Sequence, residues 1–324
     1  MKGVMAAAIA VSATLGLVGC ESASPPETIT LTETIAIAAG DTKGNYYQAA
    51  IDLRDLLREQ GYAFEIRETT GSIANLEAVG TGEADLGFSQ LDTRLYLEQF
   101  GDESQRESLD NTQLFAPVSN EVLHLMVRRD SGIEEAADLA GKRVAIGPPN
   151  SGTFVTAFVF YTLYGLDPET EPNLQRLDIE TAVEGVLAGE LDAAFFTSAL
   201  GSPLLMELSA EAGEEIRLLA LSERSRLEGL EGIYQSMTIP ANTYPWQSEA
   251  VPTFSTFSFI VVDRNLESQQ VYRLAEAIYG KAEALQDKHS FWRLLGLEEA
   301  TRDITISDLD YHEGVKEFVA DSSE

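Results

Sequence analysis

The phrase GEADLGFS, Gly82 to Ser89, returns as GELDAAFF, Gly189 to Phe196, 107 positions further along the chain. Each copy follows an apolar stretch of helical period and runs into a short apolar segment that reads as a buried strand. The same offset relates IAAGDTKGNYY (Ile37 to Tyr47) to VAIGPPNSGTF (Val144 to Phe154), and the two align without a gap. A single four-letter echo arises by chance. Two collinear echoes of strand, loop and helix predict a doubled architecture.

Working outward, strand and helix signals alternate in both copies. In the first, a strand at Ile35 to Ala39 precedes a helix from Tyr46 to Glu59. A strand at AFEIRET, a helix at SIANLEAVGTG and a strand at DLGFSQ follow. The second copy repeats the plan with KRVAIG, a helix from Gly152 to Tyr164, another from Ile179 to Leu187, and DAAFFT. This β-α-β-α-β order predicts a parallel-rich α/β sheet with covering helices in each copy. LFAPVSNEVLHLMVRRDSG and PTFSTFSFIVV read as two strands carrying the chain between lobes, with a cleft between them. A long helix from Ser268 to Gln286 and a tail from Ser307 are expected on the outside. The expected division is 35–124 with 252–324 for the first lobe and 125–251 for the second.

The N-terminus, MKGVMAAAIAVSATLGLVGC, has the layout of a secretory signal over residues 1–19. Its Leu17-Val18-Gly19-Cys20 ending matches a lipobox, so Cys20 is the expected lipidation site and membrane anchor. Residues 20–34, rich in Ser, Thr and Pro, read as a tether. Cys20 is the only cysteine, so no intrachain disulfide is available.

The chain carries 22 basic and 53 acidic residues, a formal net charge of −31. Such a chain repels a polyanion and has no basic stripe, which argues against nucleic acid as a partner. The acids are spread over helix faces, the pattern of a solvated surface.

In open parallel sheets, ligands bind beyond the carboxyl ends of the strands, where loops enter helices. Those loops are the repeated phrases, which makes Lys43, Asn45, Tyr46 and Tyr47 of the first and Ser151 and Thr153 of the second candidate ligand-binding residues. Ser72 and Asn75 in TTGSIAN, Ser89 after the first repeat and Thr197 in TSALGSP join them. Helix N-termini present unpaired N–H groups and a positive dipole end. Several facing one cleft would form an anion trap. Taken singly, each of these residues reads as an ordinary cap or turn. Gly147 and Gly152 have the spacing of a phosphate loop, but Thr153 stands where its lysine should be. Arg94, Arg128 and Arg143 are the cations expected nearest the cleft. His124, His289 and His312 show no metal-ligand spacing and no nucleophile–base pair is evident, so neither metal, cofactor nor enzymatic activity is expected.

Taken in order, GNYYQAA, TTGSIANLEAVGTGEADLGFSQ, LAGKRVAIGPPNSGT, LAGELDAAFF, GSP and IPANTYP resemble the TAXI family, the extracytoplasmic solute receptors of TRAP-type transporters. The resemblance implies a two-lobed, type II-like periplasmic binding protein fold that closes on a solute and delivers it to a sodium-driven permease. It implies a small carboxylate or amino acid, glutamate-like or 2-oxoglutarate-like, as the solute. It also places Tyr46, Tyr47, Ser72, Asn75, Ser151 and Thr153 on the family's signature loops. The same fold could instead report ligand occupancy to a membrane histidine kinase.

Overall fold

The two copies build the same elements in the same order. The first builds β1 (Glu33–Ala38), α1 (Asn45–Leu57), β2 (Tyr62–Arg67), α2 (Ser72–Gly80) and β3 (Leu86–Gln90). Two helices, α3 (Leu91–Phe100) and α4 (Glu103–Asp110), lead into the long strand β4 (Thr112–Arg128). The second copy builds β5 (Val144–Ala145), α5 (Gly152–Leu163), β6 (Leu174–Gln175), α6 (Ile179–Leu187) and β7 (Ala193–Ser198). The chain continues through α7 (Pro203–Glu207), β8 (Ile216–Leu218), β9 (Gln235–Ile239) and β10 (Val251–Asp263). It finishes with α8 (Ser268–Tyr279), α9 (Ala282–Lys288), α10 (Leu297–Ile306) and α11 (Glu313–Ser322). This computed structural model describes residues 33–221, 228–230, 232–306 and 309–322. The signal-like segment and Cys20 lie outside the described residues.

The repeated phrase has a structural job in each copy. Gly82 and Gly189 both adopt φ +75°, the left-handed turn that ends α2 and α6. Three residues later, Asp85 Oδ2 accepts from the Ala36 N–H at 2.7 Å, and Asp192 Oδ2 accepts from the Arg143 N–H at 2.8 Å. Each aspartate thus ties the turn to the first strand of its own copy. The phrase is written twice because each lobe needs the same helix stop and strand clasp.

Among the described residues ten strands join one curled sheet, in the order β2-β1-β3-β10-β4-β7-β5-β6, with β8 beside β4 and β9 beside β10. β1 runs parallel to β2 and β3, and β5 runs parallel to β6 and β7. Between these parallel sets lie β4 and β10, antiparallel to each other. β4 pairs with β10 along its first two thirds and with β7 at its end, while β10 passes from β9 to β3. Two long strands therefore connect two lobes. Pro117, which has no N–H to give the ladder, sits beside the register shift at Ser258/Phe259.

One large apolar cluster, including Leu53, Phe88, Phe115, Phe291 and Trp292, spans the first lobe and reaches into the second. A smaller one beneath α6 gathers Val186, Phe196, Ile216 and Trp246. The helix expected over Ser268 to Gln286 is two helices, because Gly280 ends α8 and a Cβ there would lie 2.8 Å from the Glu276 carbonyl oxygen. Among the described residues no helix is long and apolar enough to cross a membrane.

Candidate functional site

The equivalent loops of the two lobes face each other across a cavity of about 320 Å³. The first lobe contributes the start of α1 (Gly44, Asn45, Tyr46) and of α2 (Gly71, Ser72). The second contributes the start of α5 (Ser151, Gly152, Thr153), the start of α6 (Asp178, Ile179) and the end of β7 (Phe195, Phe196, Thr197, Ser198). Each helix starts here because a turn residue precedes a periodic apolar run. For α5 and α6 the caps are explicit: Ser151 Oγ accepts from the Phe154 N–H at 3.1 Å, and Asp178 Oδ1 from the Thr181 N–H at 2.9 Å.

The lobes touch across this cavity. The Asn150 carbonyl oxygen accepts from the N–H groups of Ile73 and Ala74 at 3.1 and 3.3 Å, joining the loop before α5 to the first turn of α2. Asn150 itself has φ +64°, a left-handed conformation that asparagine tolerates better than most residues. Asn45 Nδ2 donates to Ser198 Oγ at 3.0 Å, and Lys43 pairs with Glu180. A Cβ at Gly152 would meet the Gln90 and Ser72 side-chain ends, so a larger residue here would displace them. Deeper in, Thr156 of α5 donates to Asp92 Oδ2 at 2.6 Å, as does Tyr234 at 2.8 Å. Burial pushes the Asp92 carboxyl up to about 6, with those two hydroxyls opposing the rise.

Of the residues singled out from sequence, Lys43, Asn45, Tyr46, Ser72, Ser151, Thr153 and Thr197 line the cavity. Thr153 and Thr197 share a hydroxyl–hydroxyl hydrogen bond of 2.9 Å. Tyr47, Asn75 and Ser89 do not line it. Tyr47 packs its ring against the apolar core. Asn75 is wholly buried, donating to the Phe88 carbonyl oxygen at 2.7 Å and accepting from Thr69 Oγ1 at 2.5 Å, so it holds the loop's shape. Ser89 lies on the opposite face of β3 from Gln90, because successive strand side chains alternate, and it is Gln90 that reaches the cavity.

The three arginines expected near the cleft are engaged elsewhere. Arg94 pairs with Glu98 at 3.4 Å, Arg128 with Asp130 at 2.8 Å and Arg143 with Asp192 at 2.6 Å. None lines the cavity. Among the described residues the wall instead carries Asp41, Glu68, Glu121 and Asp178 against Lys43 alone, a balance opposite to that of an anion trap.

Glu121 is the residue that the loop-based reading missed. It lies on β4 where the chain passes between lobes, only 3% exposed, paired in register with Thr256 of β10. Its Oε1 forms no hydrogen bond, and neither do the buried hydroxyls of Tyr46 and Ser258. Burial pushes the Glu121 carboxyl up to about 7. The Asp92 charge adds to the rise, and the neighbouring Ser258 and Gln90 side chains oppose it. Burial, then the Glu121 charge, hold the Tyr46 phenol well above its ordinary range. His124, next but two on the same strand, is buried away from the cavity. Its Nδ1 lies 2.8 Å from the Val122 carbonyl oxygen and its Nε2 2.7 Å from the Tyr244 hydroxyl. Burial lowers it to about 4, so it stays neutral near pH 7.

Among the described residues, no histidine or cysteine lines the cavity. Its wall offers N–H groups at helix starts, hydroxyls, the side-chain amides of Asn45 and Gln90, and several carboxylates around a volume typical of small-molecule sites.

The sequence pattern of the NMT1-like family matches residues 37–319. Among solved structures, a protein of Bordetella bronchiseptica RB50 is similar at 15% identity, covering 90% of this chain and 98% of that one, with a TM-score of 0.56. The periplasmic aliphatic sulphonate binding protein SsuA of Escherichia coli is 17% identical over 89% of this chain and 83% of its own, with a TM-score of 0.49. The arginine-, lysine-, histidine-binding protein ArtJ of Geobacillus stearothermophilus is 12% identical over 80% and 95%, also with a TM-score of 0.49.

Proposed function

The chain belongs to the NMT1-like family, and from that premise we propose that it is an extracytoplasmic solute receptor that binds a small carboxylate or amino acid between its lobes. The observation that carries this reading is the cavity itself. Its walls come from equivalent loops of a doubled fold, and hydrogen bonds from Asn45 to Ser198 and from α2 to Asn150 cross it. Lobes joined by two strands close on a solute by a hinge, and such contacts form as they close.

The lobes of the proposal are residues 35–124 with 252–324, and 125–251. Asn45, Tyr46, Ser72, Ser151, Thr153 and Thr197 are its solute-contacting residues, with Lys43 at the rim. The TAXI-like motifs support delivery to a TRAP-type permease, and the lipobox-like sequence at Cys20 supports an anchor in a membrane facing the periplasm. The receptor binds and releases its solute unchanged.

Titration calorimetry with the purified chain tests the site. Asn45→Ala and Thr153→Val should each weaken solute binding at least tenfold while the thermal midpoint stays within a few degrees. Unchanged affinity in both would place the site elsewhere. Delivery is tested by sodium-driven uptake into vesicles holding a TRAP-type permease. Uptake should require the receptor, and uptake at the same rate without it would refute that role.

A further inference from the structure

Resting on the reading of this cavity as the solute site, we infer that the solute carries an ammonium group and that Glu121 is its counter-charge. The first ground is geometric. Glu121 lines the cavity from the strand that joins the lobes, is 3% exposed, and leaves Oε1 without a donor. A buried carboxylate oxygen without a full hydrogen bond is costly even with the Ser258 and Gln90 side chains beside it, and a donor on a solute in the cavity would satisfy it. Two further oxygens belong to residues lining the same space, the unpartnered Tyr46 hydroxyl and Gln90 Oε1, whose one weak contact is Thr156 Oγ1 at 3.5 Å. An ammonium group offers three donors and no acceptor, which suits a wall whose buried oxygens lack donors.

The second ground is the charge of the wall. Asp41, Glu68 and Asp178 accompany Glu121, and among the described residues no arginine lines the wall and its one lysine, Lys43, is already paired with Glu180. A dicarboxylate would add two negative charges to this field. A 2-oxo acid would turn a carbonyl oxygen toward Glu121, where acceptor meets acceptor. A zwitterion fits both poles: its carboxylate toward the N–H groups at the starts of α1 and α5, its ammonium toward Glu121. The ligand class is therefore α-amino acids, in preference to their 2-oxo counterparts.

Proton linkage follows. The groups around Glu121 are Asp92, whose charge raises its carboxyl, Tyr46, and the neutral Ser258, Gln90 and Thr256 side chains. With the carboxyl raised to about 7, its proton is exchanged in the neutral pH range. A bound ammonium favours the ionised form, so binding near neutral pH releases protons, and affinity falls as the pH drops through the range in which the carboxyl protonates.

The test is titration calorimetry of the full chain with matched pairs: glutamate and 2-oxoglutarate, alanine and pyruvate, leucine and 4-methyl-2-oxopentanoate. Each titration is run at pH 7 in two buffers of different ionisation heat. In whichever pair binds, the amino member should bind at least tenfold more tightly and release protons. Glu121→Gln should abolish both the preference and the release. An oxo acid binding as tightly as its amino partner would overturn the inference, as would amino-acid binding that releases no proton and survives Glu121→Gln. If only an uncharged or sulfonate solute binds, and Thr153→Val weakens it, the inference falls while the cavity remains a solute site. If no member of a panel including those solutes binds, both readings fall.

Discussion

Glu121→Gln should make the solute-free protein more stable at pH 8 and leave it unchanged near pH 4. The folded state raises the Glu121 carboxyl from an ordinary 4.5 to about 7. Below pH 4.5 the group is protonated in both folded and unfolded chains and contributes nothing. As the pH rises from there to about 7, the unfolded chain loses its proton first, so the folded state loses relative stability, and above about 7 the loss is complete. At 1.36 kcal/mol per unit, the full penalty is about 3 kcal/mol. Glutamine has the same shape and no proton to lose, so it escapes the penalty. With an unfolding entropy of about 2.1 cal/mol/K per residue, a chain of this size gains about 5 °C in melting temperature at pH 8. Scanning calorimetry of both proteins at pH 4, 6 and 8 reads the difference directly. An equal melting temperature at pH 8 would show that the carboxylate is solvated or paired in the folded state, and the account of an unsatisfied Glu121 would fail.

Three other outcomes follow from the same geometry. Gly82→Ala and Gly189→Ala each force a left-handed turn on a residue with a Cβ, and each should cost about 1 kcal/mol in urea unfolding, with an unchanged slope. Asp85→Ala strands the Ala36 N–H and Asp192→Ala the Arg143 N–H, each lowering stability by about 2 kcal/mol in thermal melts. The Asp192 change should cost the more, because it also unpairs the Arg143 guanidinium. Burial lowers His124 from 6.5 to about 4, so the unfolded chain takes up that proton first and the wild type loses about 3 kcal/mol from this group between those values. A His124→Gln variant should show a shallower decline over pH 6.5 to 4, and an equal slope would mean that His124 reaches solvent.

The doubled fold was legible because its signal is redundant. α2 and α6 cover nine residues each at the 107-residue offset, and both end on a glycine turn that the repeated phrase announces. The site was legible at the level of loops, since helix starts follow from turn residues placed before apolar runs. Individual side chains were harder. Ser89 and Gln90 differ by one residue in a fully buried strand, where apolar alternation gives no clue to which face meets the cavity. Asn75 looks like a ligand contact in sequence, yet it spends its amide on the Phe88 carbonyl. The arginines carried a readable warning: Arg94 has an acid four residues on and Arg128 one two residues on, and both pairs form. Glu121 carried a signal too, as a lone acid entering the apolar run VLHLMV. What sequence alone does not supply is that this strand crosses between the lobes, because β10, which fixes its place, lies more than 120 residues away. Helix α4, which the sequence reading did not name, opens on a capping box between Asp102 and Gln105.

The central claim is that the interlobe cavity receives the solute. A melting-temperature screen of amino acids, oxo acids, sulfonates and sugars selects the solute to use, since saturating binding at about a hundredfold above Kd adds about 2.7 kcal/mol. The decisive measurement is then a crystal structure of the chain with that solute. The account predicts density between the starts of α1 and α5, within hydrogen-bonding distance of Asn45 and Thr153. Solute bound anywhere else, with this cavity unchanged, would contradict it.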